Sequence, residues 1–337
     1  MGKTSFNLSS LKNDDYCLII AEAGSNHDQD IKNAYELIEI AADAGADAVK
    51  FQLFTAESLY SNKINYEIYE TTKRAELPLK WIPELVDVCK SNKIMFLSTP
   101  FDCNSIDVLN DVDIPMFKWA SGEIDNLELL QYAAKSLKPI LISTGMCNLS
   151  DIESAIVTVN RENNDQIALL HCISLYPTLF EDTNLRMMDT LSNTFGYPVG
   201  FSDHTPGVTV AIAAVARGAK ILEKHFTLDK NLKSPDHPFS LHPKEFKEMV
   251  TQVRAVSKSL GSNQKYVLEK EKTVAAIARR SIVAKHSISK GTKLTIDMIS
   301  YKRPATGIPP KLSSFVLGRI LNRDIEKDDI IKLDDFV

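Results

Sequence analysis

The chain reads as an α/β protein: a (β/α)8 barrel followed by a small strand-rich domain. Three observations carry that reading. Eight short apolar, β-branched runs recur between residues 18 and 224, stretches with helical period separate them, and the character of the sequence changes after Gly261. At 337 residues, 44% of them hydrophobic, the chain is long enough to bury a sizeable core.

The runs, in order, are LIIA (18–21), AVKF (48–51), IMFL (94–97), MFKW (116–119), ILI (140–142), IALL (167–170), VGF (199–201) and ILEK (221–224). Each is too short for a helix and too continuously apolar for a half-solvated strand, as buried parallel strands are. Between the first two, residues 33–44 place apolar side chains at i, i+3, i+4 and i+7 and stop at Gly45. Residues 81–92, 127–136, 150–160 and 208–217 repeat the pattern. Such alternation predicts a parallel sheet with helical crossovers, and eight units over about 250 residues fit a closed barrel. A doubly wound sheet is the alternative. The barrel is expected to span residues 1–260.

Residues 261–278 mix turn residues, charges and a helical turn, and are expected to form a linker. Within 279–337 there is an internal echo: ISKGTKLTID (288–297) resembles IEKDDIIKLD (325–334). A turn between short β-runs occurs twice, which predicts a small pseudo-symmetric domain that docks on a neighbour.

The net charge of −5 comes from well-mixed acids and bases with no basic block, so neither nucleic acid nor an anionic membrane is an expected partner. No apolar run approaches the ~20 residues of a spanning helix. The opening MGKTSF is expected to direct neither secretion nor acylation. Five cysteines (Cys17, Cys89, Cys103, Cys147, Cys172) without a C-x-x-C pair fit a reducing cytoplasm. Cys172, beside His171, is expected to be a buried thiol rather than a nucleophile.

In a barrel all eight strand ends face one mouth, and here they are polar. In order come Glu22 with Asn26 and His27, Lys50 and Gln52, Ser98-Thr99, Lys118 with Ser121-Gly122-Glu123, and Ser143-Thr144-Gly145. His171, Ser202-Asp203-His204 and Glu223-Lys224-His225 complete the ring. Packing alone gives no reason for lysines, acids and imidazoles at that level. His204 and His225 end consecutive strands, about 4.8 Å apart in a sheet, so both can reach one divalent ion used as a Lewis acid. Asp203 and Glu223 are candidates to support them.

Lys50 and Lys118 within apolar runs need an anionic partner, and with Ser121, Ser143 and Ser202 they would cradle a phosphate or carboxylate. Lys224 alternates with Glu223 and His225, so its direction is open between the mouth and the outer helices. Glu22 and Glu123 are carboxylates placed for proton transfer or sugar hydroxyls. Asp236 and His237, in SPDHPFS, lie on the loop after the eighth strand.

Eight segments together resemble the sialic acid synthase family, which comprises the N-acetylneuraminate, legionaminate and pseudaminate synthases. They are IAEAGSNH (20–27), DAVKFQ (47–52), LSTPFD (97–102), KWASGEI (118–124), ISTGM (142–146), HCISLYPT (171–178), GFSDHTPG (200–207) and LEKHFTLD (222–229). RRSIVAKHSISKGTKLTIDMI with YKRPATG (301–307) looks like the antifreeze-like (SAF) domain of those enzymes. The resemblance implies condensation of phosphoenolpyruvate with an N-acetylated mannosamine-type aldose, giving a nine-carbon 2-keto acid and phosphate.

It implies that His204 and His225 bind a divalent metal, Mn2+ first and Mg2+ or Co2+ as alternatives. Lys50, Lys118, Ser121, Ser143 and Ser202 would hold phosphoenolpyruvate. Gln52, Glu123 and Tyr176 would contact the sugar, with Glu22 beside the reacting carbons, while Asp236 is a candidate to line the site from its loop, a plain turn being the alternative. Arg303 would be inserted from a partner subunit in a domain-swapped homodimer. N-acetylmannosamine is the first expected sugar and a 2,4-diacetamido-trideoxyhexose the alternative. Asn62 and Asn65 are both candidates for the sugar-binding asparagine of that family. A Schiff-base barrel aldolase using Lys50 or Lys118, and a non-catalytic sugar-binding protein, are the more distant readings.

Overall fold

A computed structural model describes Leu8, Leu11 and residues 16–337; the opening residues read above for targeting lie outside these. Eight strands close a parallel barrel in sequence order: β1 (Leu18–Gly24), β2 (Ala48–Leu53), β3 (Met95–Pro100), β4 (Phe117–Trp119), β5 (Ile140–Ser143), β6 (Ile167–Cys172), β7 (Val199–Asp203) and β8 (Ile221–His225). The last strand pairs with the first, Leu18 against Ile221 and Glu22 against His225, which removes both sheet edges.

The crossover helices form where the helical pattern lies. The first, Ile31–Ala44, starts earlier than the apolar pattern because Asp30 caps it, accepting a hydrogen bond from the backbone N–H of Lys32. It ends at Gly45, whose φ of +84° only glycine adopts without strain.

Because side chains alternate along a strand, each strand serves two cores. Outward residues such as Val49, Phe51, Phe117, Trp119, Ile142, Leu169 and Leu222 pack with the helices in the larger cluster. Inward residues (Leu18, Ile20, Ala48, Leu97, Met116, Leu141, Ala168, Leu170 and Ile221, joined by Leu8 and Leu11) fill the barrel interior. Each fully buried Leu, Ile or Met among them contributes about 1.5–3 kcal/mol. One pleat further along the same strands the inward side chains turn polar, at Glu22, Lys50, Lys118, Ser143, Ser202 and Glu223. The apolar plug is thus the floor on which the polar ring stands.

The first compact unit covers Met1–Gly261 and the second Ser262–Val337. In the second, β9 (Ser281–Ala284) and β10 (Ile299–Lys302) pair antiparallel around a core of Ile282, Leu294, Ile299, Val316, Ile331 and Phe336. The two echoed segments meet at equivalent positions: Ile288 and Ile325 exchange backbone hydrogen bonds at 2.8 and 2.9 Å. Each then reaches a 3-10 turn, Ile296–Met298 and Leu333–Asp335, at the same offset. The segment 261–278 contains a helix, Glu269–Ala278, longer than the single turn its sequence indicates. Among the described residues no helix is long and apolar enough to cross a membrane.

Candidate active site

The C-terminal ends of the strands surround a cavity of about 480 Å³. Its walls include Glu22, Lys50, Gln52, Thr99, Lys118, Ser121, Glu123, Ser143, Cys172, Ser174, Tyr176, Ser202, His204, Glu223 and His225. All eight strands contribute at least one of these residues near their C-terminal ends, and the loops after β4 and β6 supply Ser121, Glu123, Ser174 and Tyr176.

One half of the cavity is a buried charge cluster. Lys50 Nζ lies 2.8 Å from Glu22 Oε2, 3.7 Å from Glu223 Oε2 and 3.2 Å from Thr99 Oγ1. Lys118 Nζ donates to Ser143 Oγ at 2.7 Å and lies 3.7 Å from Glu223 Oε1. Glu223 therefore bridges the two ammonium groups, and its Oε1 also accepts from Ser202 Oγ at 2.9 Å. Burial alone drives Glu223 upward, yet Lys118, Lys50 and the Ser202 hydroxyl bring it down to about 2. Burial outweighs Lys50 at Glu22 and pushes that carboxyl up to about 7. Burial also acts to lower Lys50, but Glu22 and Glu223 hold it above the usual lysine range; Lys118, with less compensation, falls below it.

Across the cavity stand two imidazoles. The rings of His204 and His225 are 5.5 Å apart between centroids, and Tyr176 packs 4.2 Å from His204. His204 Nδ1 donates to the carbonyl of Ile173 at 2.8 Å, which leaves Nε2 with its lone pair free. His225 is buried with Nδ1 unpartnered, and burial holds the ring down to about 4, so it stays neutral. Asp236 Oδ2 stands 3.9 Å from that nitrogen. Gly24 leaves room for this carboxylate: a Cβ there would meet Asp236 Oδ2 at 2.5 Å, and its φ is +53°. As donors, two imidazoles suit a divalent ion of borderline softness. Among the described residues no group of three or more His, Cys, Asp or Glu side chains converges on one point, so further ligands would be water or substrate oxygens.

The profile of the NeuB family matches residues 37–265, and that of the SAF domain matches residues 279–337. The chain belongs to the NeuB family. It is 44% identical to the N,N'-diacetyllegionaminic acid synthase of Campylobacter jejuni over 94% of this chain and 98% of that one. With the protein of the same name from Legionella pneumophila identity is 40%, covering 92% of this chain and 91% of the other. The solved structure of N-acetylneuraminic acid (sialic acid) synthetase from Leptospira borgpetersenii superposes with a TM-score of 0.73 at 36% identity, covering 77% of this chain and 90% of that one.

Within this NeuB-family barrel the expected site residues divide by position. Lys50, Gln52, Lys118, Ser121, Ser143, Tyr176, Ser202, His204, His225, Glu22 and Glu123 all line the one cavity. Asp236 does not line it but sits behind His225, held by the backbone N–H and Oγ of Ser25 at 3.2 and 3.1 Å. Arg303 belongs to the second unit, where it is exposed after β10. His171 and Lys224 face outward: His171 Nε2 donates to the Thr183 carbonyl at 2.8 Å, and Lys224 pairs with Asp203. Asn65 caps the helix Tyr66–Lys73 by accepting from Ile68 N–H, so its carbonyl oxygen is engaged. Sequence reasoning placed Glu223 beside the histidines, whereas it lies between the lysines. Counting strand parity from Lys50 and Lys118 through the barrel register would have found it. Cys172 is buried in the cavity wall, and all five thiols are free.

Proposed function

We propose that the protein is an enzyme that condenses phosphoenolpyruvate with an N-acetylated aldose and water, giving a nonulosonic acid and phosphate. The observation that carries the reading is the division of one cavity into a lysine–hydroxyl half and a two-imidazole half.

In this reading Lys118, Ser143, Ser121 and Ser202 hold the phosphate of phosphoenolpyruvate, and Lys50 holds its carboxylate. Such cations and hydroxyls, already fixed by Glu223 and by one another, stabilise developing charge without reorganising. A divalent ion, Mn2+ first, would be held by His204 and His225, and when bound it polarises the aldehyde carbonyl as a Lewis acid. C3 of the enol forms the new bond to the aldehyde carbon, C2 takes up water, and phosphate leaves with its bridging oxygen. Glu123, whose Oε2 accepts from Asn126 Nδ2 at 3.1 Å, is on the open side of the cavity, where it is placed to move a proton. Gln52 donates to Glu22 Oε1 at 2.8 Å and so orients Glu22 toward the reacting carbons.

For the aldose we favour a 2,4-diacetamido-trideoxyhexose over N-acetylmannosamine. What supports this order is identity of 40–44% to two proteins named as diacetyllegionaminic acid synthases. We further propose a cytoplasmic homodimer in which Arg303 of one chain enters the mouth of the other. A panel of aldoses, with phosphoenolpyruvate fixed and product mass recorded, tests the function. The diacetamido sugar is expected to give the highest kcat/KM. A higher value for N-acetylmannosamine reverses the order, and no product with any N-acetylated aldose overturns the reading.

A further inference from the structure

The two strands that carry the imidazoles are also tied together on their outer face. Asp203 precedes His204 and Lys224 precedes His225, so strand alternation turns both away from the cavity. They are register partners across β7 and β8, and both are about 1% exposed. Lys224 Nζ donates to Asp203 Oδ2 at 2.9 Å and to the Thr205 carbonyl. Asp203 Oδ1 accepts from both the backbone N–H and the Oγ1 of Thr205, each at 2.8 Å. The backbone on either side of His204 is therefore gripped by one buried ion pair whose other end is the residue before His225.

This position does not call for charge on packing grounds. The register partner of Lys224 on β1 is Ala21, and that of Ala21 on β2 is Val49, both apolar and buried. The helix Thr209–Ala216 that packs against β7 and β8 has the sequence TVAIAAVA. A buried ion pair beneath an apolar helix gives little or no net stability relative to an apolar pair, because both ions lose their hydration. What it does give is a fixed geometry, since only one arrangement satisfies every donor and acceptor.

We propose that the Lys224–Asp203 pair is a positioning device that sets the spacing of His204 and His225, and so the affinity of the two-imidazole site for its divalent ion. The inference rests on the metal reading given above. The ion pair works through the strands and touches neither the ion nor the substrates. Its removal should loosen the bite of the histidines more than it disturbs the lysine–hydroxyl half, which shares β7 and β8 only through Ser202 and Glu223 and draws Lys50, Lys118 and Ser143 from other strands.

The test is Mn2+ binding to the full-length chain, followed by electron paramagnetic resonance, alongside phosphoenolpyruvate binding by calorimetry. The double variant K224M/D203N removes both charges together and keeps an acceptor for Thr205. It is expected to bind Mn2+ at least tenfold more weakly than the wild type, with the Kd for phosphoenolpyruvate raised severalfold less than that for Mn2+. Because a buried pair is being altered, Thr205→Val is measured as well. It removes one hydrogen bond to Asp203 at nearly constant volume and is expected to weaken Mn2+ about threefold. Wild-type Mn2+ affinity in either folded variant, or an equal loss of Mn2+ and phosphoenolpyruvate affinity, overturns the inference and leaves the metal reading standing. A wild-type chain that binds no Mn2+ overturns both.

Discussion

Lys50 Nζ lies 2.8 Å from Glu22 Oε2, and both side chains are shut away from solvent. An ammonium with such a partner is held in place before any substrate arrives, and the carboxyl it faces is pushed up to about 7 by burial. A trianionic ligand entering the cavity meets a cation whose counter-charge is already weakened near neutral pH.

Lys50→Met is therefore expected to weaken phosphoenolpyruvate. Loss of a hydrogen bond to a charged group costs about 1.5–3 kcal/mol, roughly a 10- to 100-fold rise in Kd. Calorimetry at pH 7 measures it, and a change below twofold contradicts the assignment.

His225→Ala is expected to remain folded, with turnover down at least a thousandfold and not restored by added Mn2+. In the wild type, chelation should abolish turnover and Mn2+ should return it. Undiminished turnover after chelation would remove the imidazole pair from the chemistry.

Arg303→Ala is expected to raise KM for the aldose tenfold or more while leaving KM for phosphoenolpyruvate within twofold. Steady-state kinetics with each substrate varied in turn decide this. An equal rise in both constants would place Arg303 outside the sugar side.

His27 supplies a pH dependence of stability. It is fully buried, with its ring centroid 6.1 Å from Trp81 and 6.4 Å from Phe51, and burial holds it down to about 4. The unfolded chain takes up this proton near the ordinary value of 6.5, the folded chain only near 4. Stability from the neutral ring is thus fully present above pH 6.5 and is lost as pH falls from 6.5 toward 4, amounting to about 2 kcal/mol at pH 5. Denaturant unfolding at pH 7 and pH 5 should show this loss in the wild type and a smaller one in His27→Gln. Identical losses would mean that His27 is protonated in the fold.

Much of this was legible in the chain because the barrel imposes a strict period. The eight apolar runs became the eight strands, and the residues after them became the cavity wall. What sequence left open was parity. Lys50, Lys118 and Lys224 look alike as lysines in apolar runs, yet the first two point into the barrel and the third points out to Asp203. The same ambiguity hid the place of Glu223 and the outward turn of His171. A one-residue shift in a strand reverses every direction, and only the closed register fixes it. Asp236 was nameable from its loop, but the contact to Ser25 that seats it joins residues 211 apart in sequence.

The most direct measurement is 31P NMR of phosphate formed in 18O-labelled water, with phosphoenolpyruvate, aldose and Mn2+ supplied together and each omitted in turn. The account expects phosphate only when all three are present, and expects it to be free of 18O because the bond broken is between C2 and the bridging oxygen. Phosphate that forms at the same rate without aldose, or that carries the label, would contradict it.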